Sequence, residues 1–156
     1  MKVQTALQQV NRLFLDSAPV IYYVDMNPAY FAIMDGLFNY IESNLIRVVT
    51  SPVTLAECLI LPIRQNNPSQ QQLFIDIITA QDTADFVEIS SAIATQAATV
   101  RAKYNLQLPD AFQIATALLA GCEAFLTNDV HLQRVTELNV LVVGELDVET
   151  AESERL

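Results

Sequence analysis

Four acids stand where a chain of alternating strands and helices would put its chemistry: Asp16, Glu57, Asp110 and Asp129. Asp16 closes the apolar run Leu13-Phe14-Leu15, and Asp129 follows the run Ala124-Phe125-Leu126-Thr127 after one asparagine. Asp110 follows Pro109 at the start of a helical pattern, and Glu57 falls in the second turn of a helix announced by Ser51-Pro52. Four carboxylates drawn to one point repel one another in a partly desolvated site and call for cations. Mg²⁺ or Mn²⁺, which prefer oxygen ligands, supply that balance. An ion held by carboxylates lowers the pKa of its bound water and stabilises charge on a phosphoryl group. The chemistry this allows is phosphodiester hydrolysis, with no Ser or Cys nucleophile and no His base. Singly, each acid has a structural use. Asp16 can cap the next helix, Asp110 suits the positive end of a helix dipole, Asp129 suits a turn, and Glu57 can be an exposed helix residue. The set, with three of its members at element ends, carries the functional reading.

The elements that must position these acids follow from spacing. Residues 13–16, 45–49, 86–89, 124–127 and 138–143 read as short buried strands. Between them lie helical patterns. One opens at Ser17-Ala18-Pro19 with Ser17 as a possible N-cap and continues through Val20–Val24. A second starts at Pro28 with Tyr30, Phe31, Met34, Leu37, Phe38 and Ile41 on its apolar face and stops at Ser43-Asn44. A third starts at Pro52, with Leu55, Leu59 and Ile63 along one face and Pro62 ending or kinking it. Residues 64–72 are polar and read as a loop into a helix carrying Leu73, Ile77 and Ile78. Ser90-Ser91 caps a helix with Ile93, Ala97 and Val100 on one face. The last helix runs from Pro109 with Ala111, Ile114, Ala115, Leu118 and Cys122 at helical spacing, and Gly121 closes it. Strands separated by helices predict a mostly parallel α/β sandwich. If the 109–120 helix runs antiparallel to the strand after it, Asp110 and Asp129 reach the same sheet edge, the edge where open α/β sheets bind ligands.

Length and composition predict one domain over residues 1–144, followed by an acidic tail at 145–156. The chain is 156 residues long, 52% hydrophobic and carries a formal charge of −10. Five acids and one Arg in the tail account for −4 of this, leaving −6 for the rest. Such a charge is unusual for a chain that meets nucleic acid on a basic surface, and a cluster of acids awaiting cations is one cause of it. No apolar run reaches the roughly 18 residues of a membrane helix, and the N-terminal dozen lacks a secretory apolar core, so the expected location is the cytoplasm. Cys58 and Cys122 are expected to be buried free thiols. Asp25 reads as a loop residue and His131 as packed or exposed. Tyr22 and Tyr23 read as core or base-stacking residues, and Arg47, Arg64, Arg101 and Lys103 as candidate phosphate contacts.

The pieces F-L-D-S at 14–17, S-P-V-T-L-A-E-C at 51–58, L-P-D-A-F-Q-I-A-T-A at 108–117 and L-T-N-D-V-H-L at 126–132 together resemble a PIN domain, the fold of VapC-type toxin ribonucleases of bacterial toxin–antitoxin systems. The likeness runs from Leu13 to Val143. It implies a PIN-like three-layer α/β/α sandwich, and a metal-dependent endoribonuclease that leaves a 5′-phosphate and a 3′-hydroxyl. It further implies Asp16, Glu57, Asp110 and Asp129 as Mg²⁺ or Mn²⁺ ligands, with Ser17 and Thr127 in support. The expected partners are RNA, a small antitoxin protein that blocks the site and a second copy of the chain, with residues 28–41 and Val20–Val24 as contact candidates. The first motif departs from the family's frequent Asp-Thr/Ser-Asn, since Ala18 stands third. That departure and the acidic charge frame the alternative, a catalytically weak or inactive PIN-like binding module. Other α/β hydrolases fit less well. A haloacid-dehalogenase-like enzyme wants an Asp where Ala18 stands, a receiver domain wants a late Lys, and a dinucleotide site wants glycines after the first strand.

Overall fold

The structure is a computed structural model and describes residues 1–80 and 82–148. Five strands, β1 (Arg12–Leu15), β2 (Arg47–Thr50), β3 (Ala84–Phe86), β4 (Ala124–Thr127) and β5 (Asn139–Val142), form one sheet in the order β3-β2-β1-β4-β5. Every pairing is parallel, as buried strands joined by helical crossovers must be. The helices are α1 (Val3–Ala6), α2 (Ser17–Val24), α3 (Phe31–Ser43), α4 (Pro52–Arg64), α5 (Pro68–Ile78), α6 (Ser91–Tyr104) and α7 (Leu108–Leu119).

Alternation along each strand feeds two cores. Leu13, Leu15, Val48, Ala124, Leu126 and Leu141 point to the face covered by α1 to α5. Phe14, Val49, Phe125 and Val140 point to the face covered by α6 and α7. Phe14 and Phe125, paired in the ladder, stack with ring centroids 5.0 Å apart and planes 6° from parallel. The result is the α/β sandwich that the alternation predicts, in the three layers that the PIN resemblance implies. Cys58 and Cys122 are free and buried. Burial pushes the Cys58 thiol well up and the Cys122 thiol to about 12, so neither is a reactive thiolate. Among the described residues no helix is long and apolar enough to cross a membrane.

The structure moves several expected boundaries, each for a local reason. β3 lies at 84–86 rather than 86–89. Its partner β2 stops at Thr50, whose carbonyl takes the Val87 N–H, and Ser51 then caps α4, so residues 88–89 have no strand to pair with. α5 begins at Pro68, inside the stretch read as a loop, because Asn67 accepts from the Gln70 N–H and Pro68 takes the first helical position. Its buried residues are Phe74 and Ile78, while Leu73 is exposed. α3 starts at Phe31, not Pro28, since the Asn27 side chain accepts from Ala29 and Tyr30 and holds a turn ahead of it. Pro62 does not end α4. It lies inside the helix on a buried face with Thr54 and Cys58, one residue round from the face expected, and Ile63 is exposed. The N-terminal residues, given no element by their polar composition, form α1, and Val3, Ala6, Leu7 and Val10 enter the core. Leu146 is buried and Asp147 pairs with Lys2, so the packed chain passes residue 144. Of the expected tail, residues 149–156 lie outside the described residues.

At the sheet edge where the strands begin, Asp85 accepts from both Arg12 (2.8 Å) and Arg47 (2.7 Å), tying β1, β2 and β3 together. The Arg47 guanidinium, then Arg12, hold the Asp85 carboxyl below its usual range. Asp85→Ala is expected to cost about 1 kcal/mol at neutral pH, because the cluster is part-exposed. The depressed pKa makes this contribution present above the unfolded-state pKa near 3.8 and lost as the pH falls through the lower folded value. Urea melts of the two proteins should therefore differ at pH 7, and the difference should shrink progressively as the pH is taken below 3.8.

Candidate active site

The strand order reverses between β1 and β4, because the chain crosses to one side for β2 and β3 and to the other for β4 and β5. At such a switch point the connections leave in opposite directions and open a crevice beyond the strand ends. Asp16 follows β1 directly, its N–H donating to the Leu126 carbonyl of β4 at 2.9 Å. Asp129 lies two residues past β4. α7 precedes β4 and returns through a turn in which Gly121 has φ +74°, a conformation glycine adopts without penalty. That hairpin puts Asp110, in the first turn of α7, at the same edge. α4 leaves from the end of β2 and carries Glu57. Two of the four acids thus sit on connections at this edge, and the other two are on helices that start there.

Asp16 is the most enclosed, with 7% of its surface exposed. It is the N-cap of α2, a place expected for Ser17, which instead takes the first helical position. Oδ1 accepts from the Ser17 N–H at 2.9 Å and from the Gln113 side-chain amide at 3.5 Å. Oδ2 accepts from the Thr127 hydroxyl at 2.8 Å. Burial raises the Asp16 pKa. The hydrogen bonds from Thr127, Ser17 and Gln113 oppose that rise, and the nearby Asp129 adds to it. Thr127 in turn accepts from the Asp129 N–H at 3.1 Å, so one buried hydroxyl joins two of the acids. The Asp129 carboxylate accepts from the His131 N–H and caps a 3₁₀ turn over Val130–Arg134. The Ser17 hydroxyl donates to Glu57 Oε1 at 3.2 Å.

Electrostatics show the acids to be near one another. Burial, then the charges of Asp16, Asp129 and Glu57, push the Asp110 carboxyl up to about 6. Burial, then Asp16, raise Glu57. Among the described residues no Lys, Arg or His forms an ion pair with any of the four. The site is a set of oxygen donors under mutual repulsion with no base to relieve it, which is the chemistry a hard cation fits. As the side chains stand, no group of three His, Cys, Asp or Glu among the described residues is disposed to hold an ion. Mg²⁺ keeps several waters and is commonly held through one or two carboxylates, so a closed cage of protein ligands is not required.

Other expected residues go elsewhere. Arg47 is held by Asp85, Arg101 by the Leu106 carbonyl and Lys103 by Glu137. Tyr22 stacks on Tyr30 and Tyr23 on Phe31, joining α2 to α3. Asp25 accepts from Gln70, and the His131 side chain is exposed.

The sequence matches the family described as PIN domain over residues 13–138. The chain belongs to the PIN domain family. Solved structures with the same fold include DNA-bound VapBC from Salmonella typhimurium, at 15% identity and TM-score 0.67, covering 85% of this chain and 98% of the other. VapBC2 from Rickettsia felis bound to a promoter DNA fragment gives 16%, 0.66, 84% and 98%. VapC20 from Mycobacterium tuberculosis, a Sarcin-Ricin loop cleaving toxin, gives 16%, 0.61, 72% and 86%. No curated protein sequence matches the chain. In this PIN domain the residue that sequence reasoning passed over is Gln113, 1% exposed among the acids. Its signal was visible: it is the long polar residue in the apolar stretch Ala111–Ala115 of α7, one turn after Asp110.

Proposed function

We propose that this PIN domain is a metal-dependent endoribonuclease and the toxin of a toxin–antitoxin pair. The observation that carries the reading is Asp110, whose carboxyl is pushed up to about 6 by burial and by three other acids at the strand switch point. Asp16, Glu57, Asp110 and Asp129 would hold Mg²⁺ or Mn²⁺. Thr127 and Ser17 orient Asp16 and Glu57 through their hydroxyls. When bound, such an ion supplies an activated water and neutralises charge on the phosphoryl group. No base pairs with the four acids among the described residues, and their negative charge repels an RNA phosphate until a cation arrives. Relatives solved as VapBC complexes, and one named as a Sarcin-Ricin loop cleaving toxin, support RNA as substrate and a small antitoxin as partner. The α2–α3 surface is the proposed contact for the antitoxin or for a second copy, in the cytoplasm.

The test is a calorimetric Mn²⁺ titration of the purified chain, followed by incubation with structured RNA and analysis of the new ends. Saturable binding with cleavage to 5′-phosphate ends is the expected result. A folded chain that binds no Mn²⁺ and cuts no RNA would sink the proposal. The second reading, a PIN-like module that binds without cutting, is favoured by the −10 charge and by Ala18. It predicts that the titration stays flat while a partner protein still binds.

A further inference from the structure

A chain of buried polar side chains runs from the start of α4 to Asp16, and every hydrogen in it has one possible direction. The Ser51 hydroxyl oxygen accepts from the Val53 and Thr54 N–H groups at 3.2 and 3.3 Å as the N-cap of α4. Its own hydrogen is then left for Gln113 Oε1, to which it donates. With the carbonyl end of the amide so fixed, the NH₂ end of Gln113 must face the other way. It donates to Thr54 Oγ1 at 2.7 Å, and Thr54 spends its hydrogen on the Leu15 carbonyl at 3.1 Å. The same NH₂ group lies 3.5 Å from Asp16 Oδ1. Ser51 and Thr54 are fully buried and Gln113 nearly so. No buried side-chain polar atom among the described residues lacks a partner. An amide in this position has both ends determined by the protein and not by solvent.

We propose that Gln113 is a positioning residue: held by Ser51 and Thr54, it presents only N–H to Asp16 and so keeps that carboxylate in its site-facing orientation as an acceptor of hydrogen bonds. The inference rests on the reading of Asp16 as a metal ligand. All three groups that meet Asp16, namely Ser17 N–H, the Thr127 hydroxyl and the Gln113 amide, are donors, and only the last is held by another helix, α7, the one that carries Asp110. Gln113 thereby ties the placing of Asp16, on β1–α2, to the placing of Asp110. A group of the same size that offers oxygen or nothing at this point loses the tie. The helix itself keeps its apolar packing through Ile114 and Ala115.

The test compares wild type with Gln113→Met, Gln113→Glu and the control Ile114→Val, a buried change in the apolar core of the same helix that removes no polar group. Four readouts are taken: the melting temperature, the Mn²⁺ dissociation constant by calorimetry, kcat and KM for RNA cleavage, and the Asp16 side chain in crystals of the metal-free Gln113→Met protein. The expected result is that Gln113→Met and Gln113→Glu weaken Mn²⁺ binding about tenfold or more, the usual cost of losing a residue that orients a ligand. Asp16 is expected to leave Ser17 and Thr127 in the Gln113→Met crystals. RNA turnover should fall in kcat with KM little changed. Ile114→Val should lower the melting temperature and leave Mn²⁺ affinity as in wild type. An Asp16 that keeps both contacts in the Gln113→Met crystals overturns the inference whatever the metal does. A wild-type chain that binds no Mn²⁺ overturns the metal reading instead, and the crystals still decide the role of Gln113.

Discussion

On the proposed function, Asp110→Asn is expected to abolish Mn²⁺ binding and sharply reduce RNA cleavage while making the metal-free chain more stable. Both effects come from one cause. Burial and the charges of Asp16, Asp129 and Glu57 push the Asp110 carboxyl up to about 6 from its ordinary 3.8. A carboxyl with a raised folded-state pKa favours folding when protonated and opposes it when ionised. For the metal-free chain the penalty is therefore absent near pH 4, grows as the pH rises toward 6, and is complete at pH 7. Asparagine keeps the shape and removes the charge. Because Asp110 is only half-buried, solvent screening reduces the expected gain to about 1 kcal/mol, or a melting temperature about 2–4 °C higher at pH 7. The gain should vanish at pH 4. Loss of a direct ligand should cost about 10³-fold in turnover, the kinetic equivalent of about 4 kcal/mol. Adding Mn²⁺ should then reverse the order of stability, because a ligand that binds only the folded chain stabilises wild type and leaves the variant as it was. Thermal melts of both proteins at pH 4 and pH 7, with and without Mn²⁺, check all four corners. An Asp110→Asn protein less stable than wild type at pH 7 without metal would show that the four acids are not under mutual strain.

Most of the fold was legible because the strands are short, apolar and spaced by helical patterns, and because Pro52, Ser90 and Pro109 mark helix starts by a mechanism that composition preserves. What misled was composition in the wrong context. Asp85 breaks an apolar run, yet it lies in the middle of β3 because Arg47 on the neighbouring β2 and Arg12 on β1 beyond it meet its charge. Gln70, Gln71 and Gln72 look like a loop, yet Asn67 and Pro68 had already opened a helix before them. The N-terminal residues look polar, yet the Val3 N–H donates to the Asp147 carbonyl across nearly the whole chain, a pairing that no local pattern announces. The four acids were grouped as a candidate set because Asp16, Asp110 and Asp129 stand at or just past element ends, while Glu57 lies inside α4. The residues that connect them were harder to see. Thr127 adjoins an acid in sequence, and Gln113 shows there only as a long polar residue in an apolar stretch; that it meets Asp16 while held by Ser51 and Thr54 follows from the contact between α4 and α7, which spacing along the chain does not announce.

Thr127→Val should damage both stability and turnover, and Thr127→Ser should restore most of each. The Thr127 hydroxyl is 1% exposed and has two tasks: it donates to Asp16 Oδ2 at 2.8 Å and accepts from the Asp129 N–H at 3.1 Å. Valine fills the same volume, so packing is kept and only the hydroxyl is lost. A hydrogen bond to a charged group contributes about 1.5–3 kcal/mol, and the unmet Asp129 N–H adds to the loss. The expected drop in melting temperature is about 4–8 °C. Asp16 is also affected. Burial raises its pKa, and the Thr127 hydroxyl is the largest of the groups opposing that rise. Without it the carboxyl protonates at still higher pH, so the rise of activity with pH should move to higher pH in Thr127→Val and return in Thr127→Ser. Turnover at neutral pH should fall about 10–100-fold, as when a residue orienting a metal ligand is lost. Serine supplies the same O–H on the same backbone and lacks one methyl, which leaves the pH profile where it is in wild type and lowers only the melting temperature. A pH–rate profile unchanged in Thr127→Val would mean that Asp16 is held in its ionised form by Ser17 and Gln113 alone.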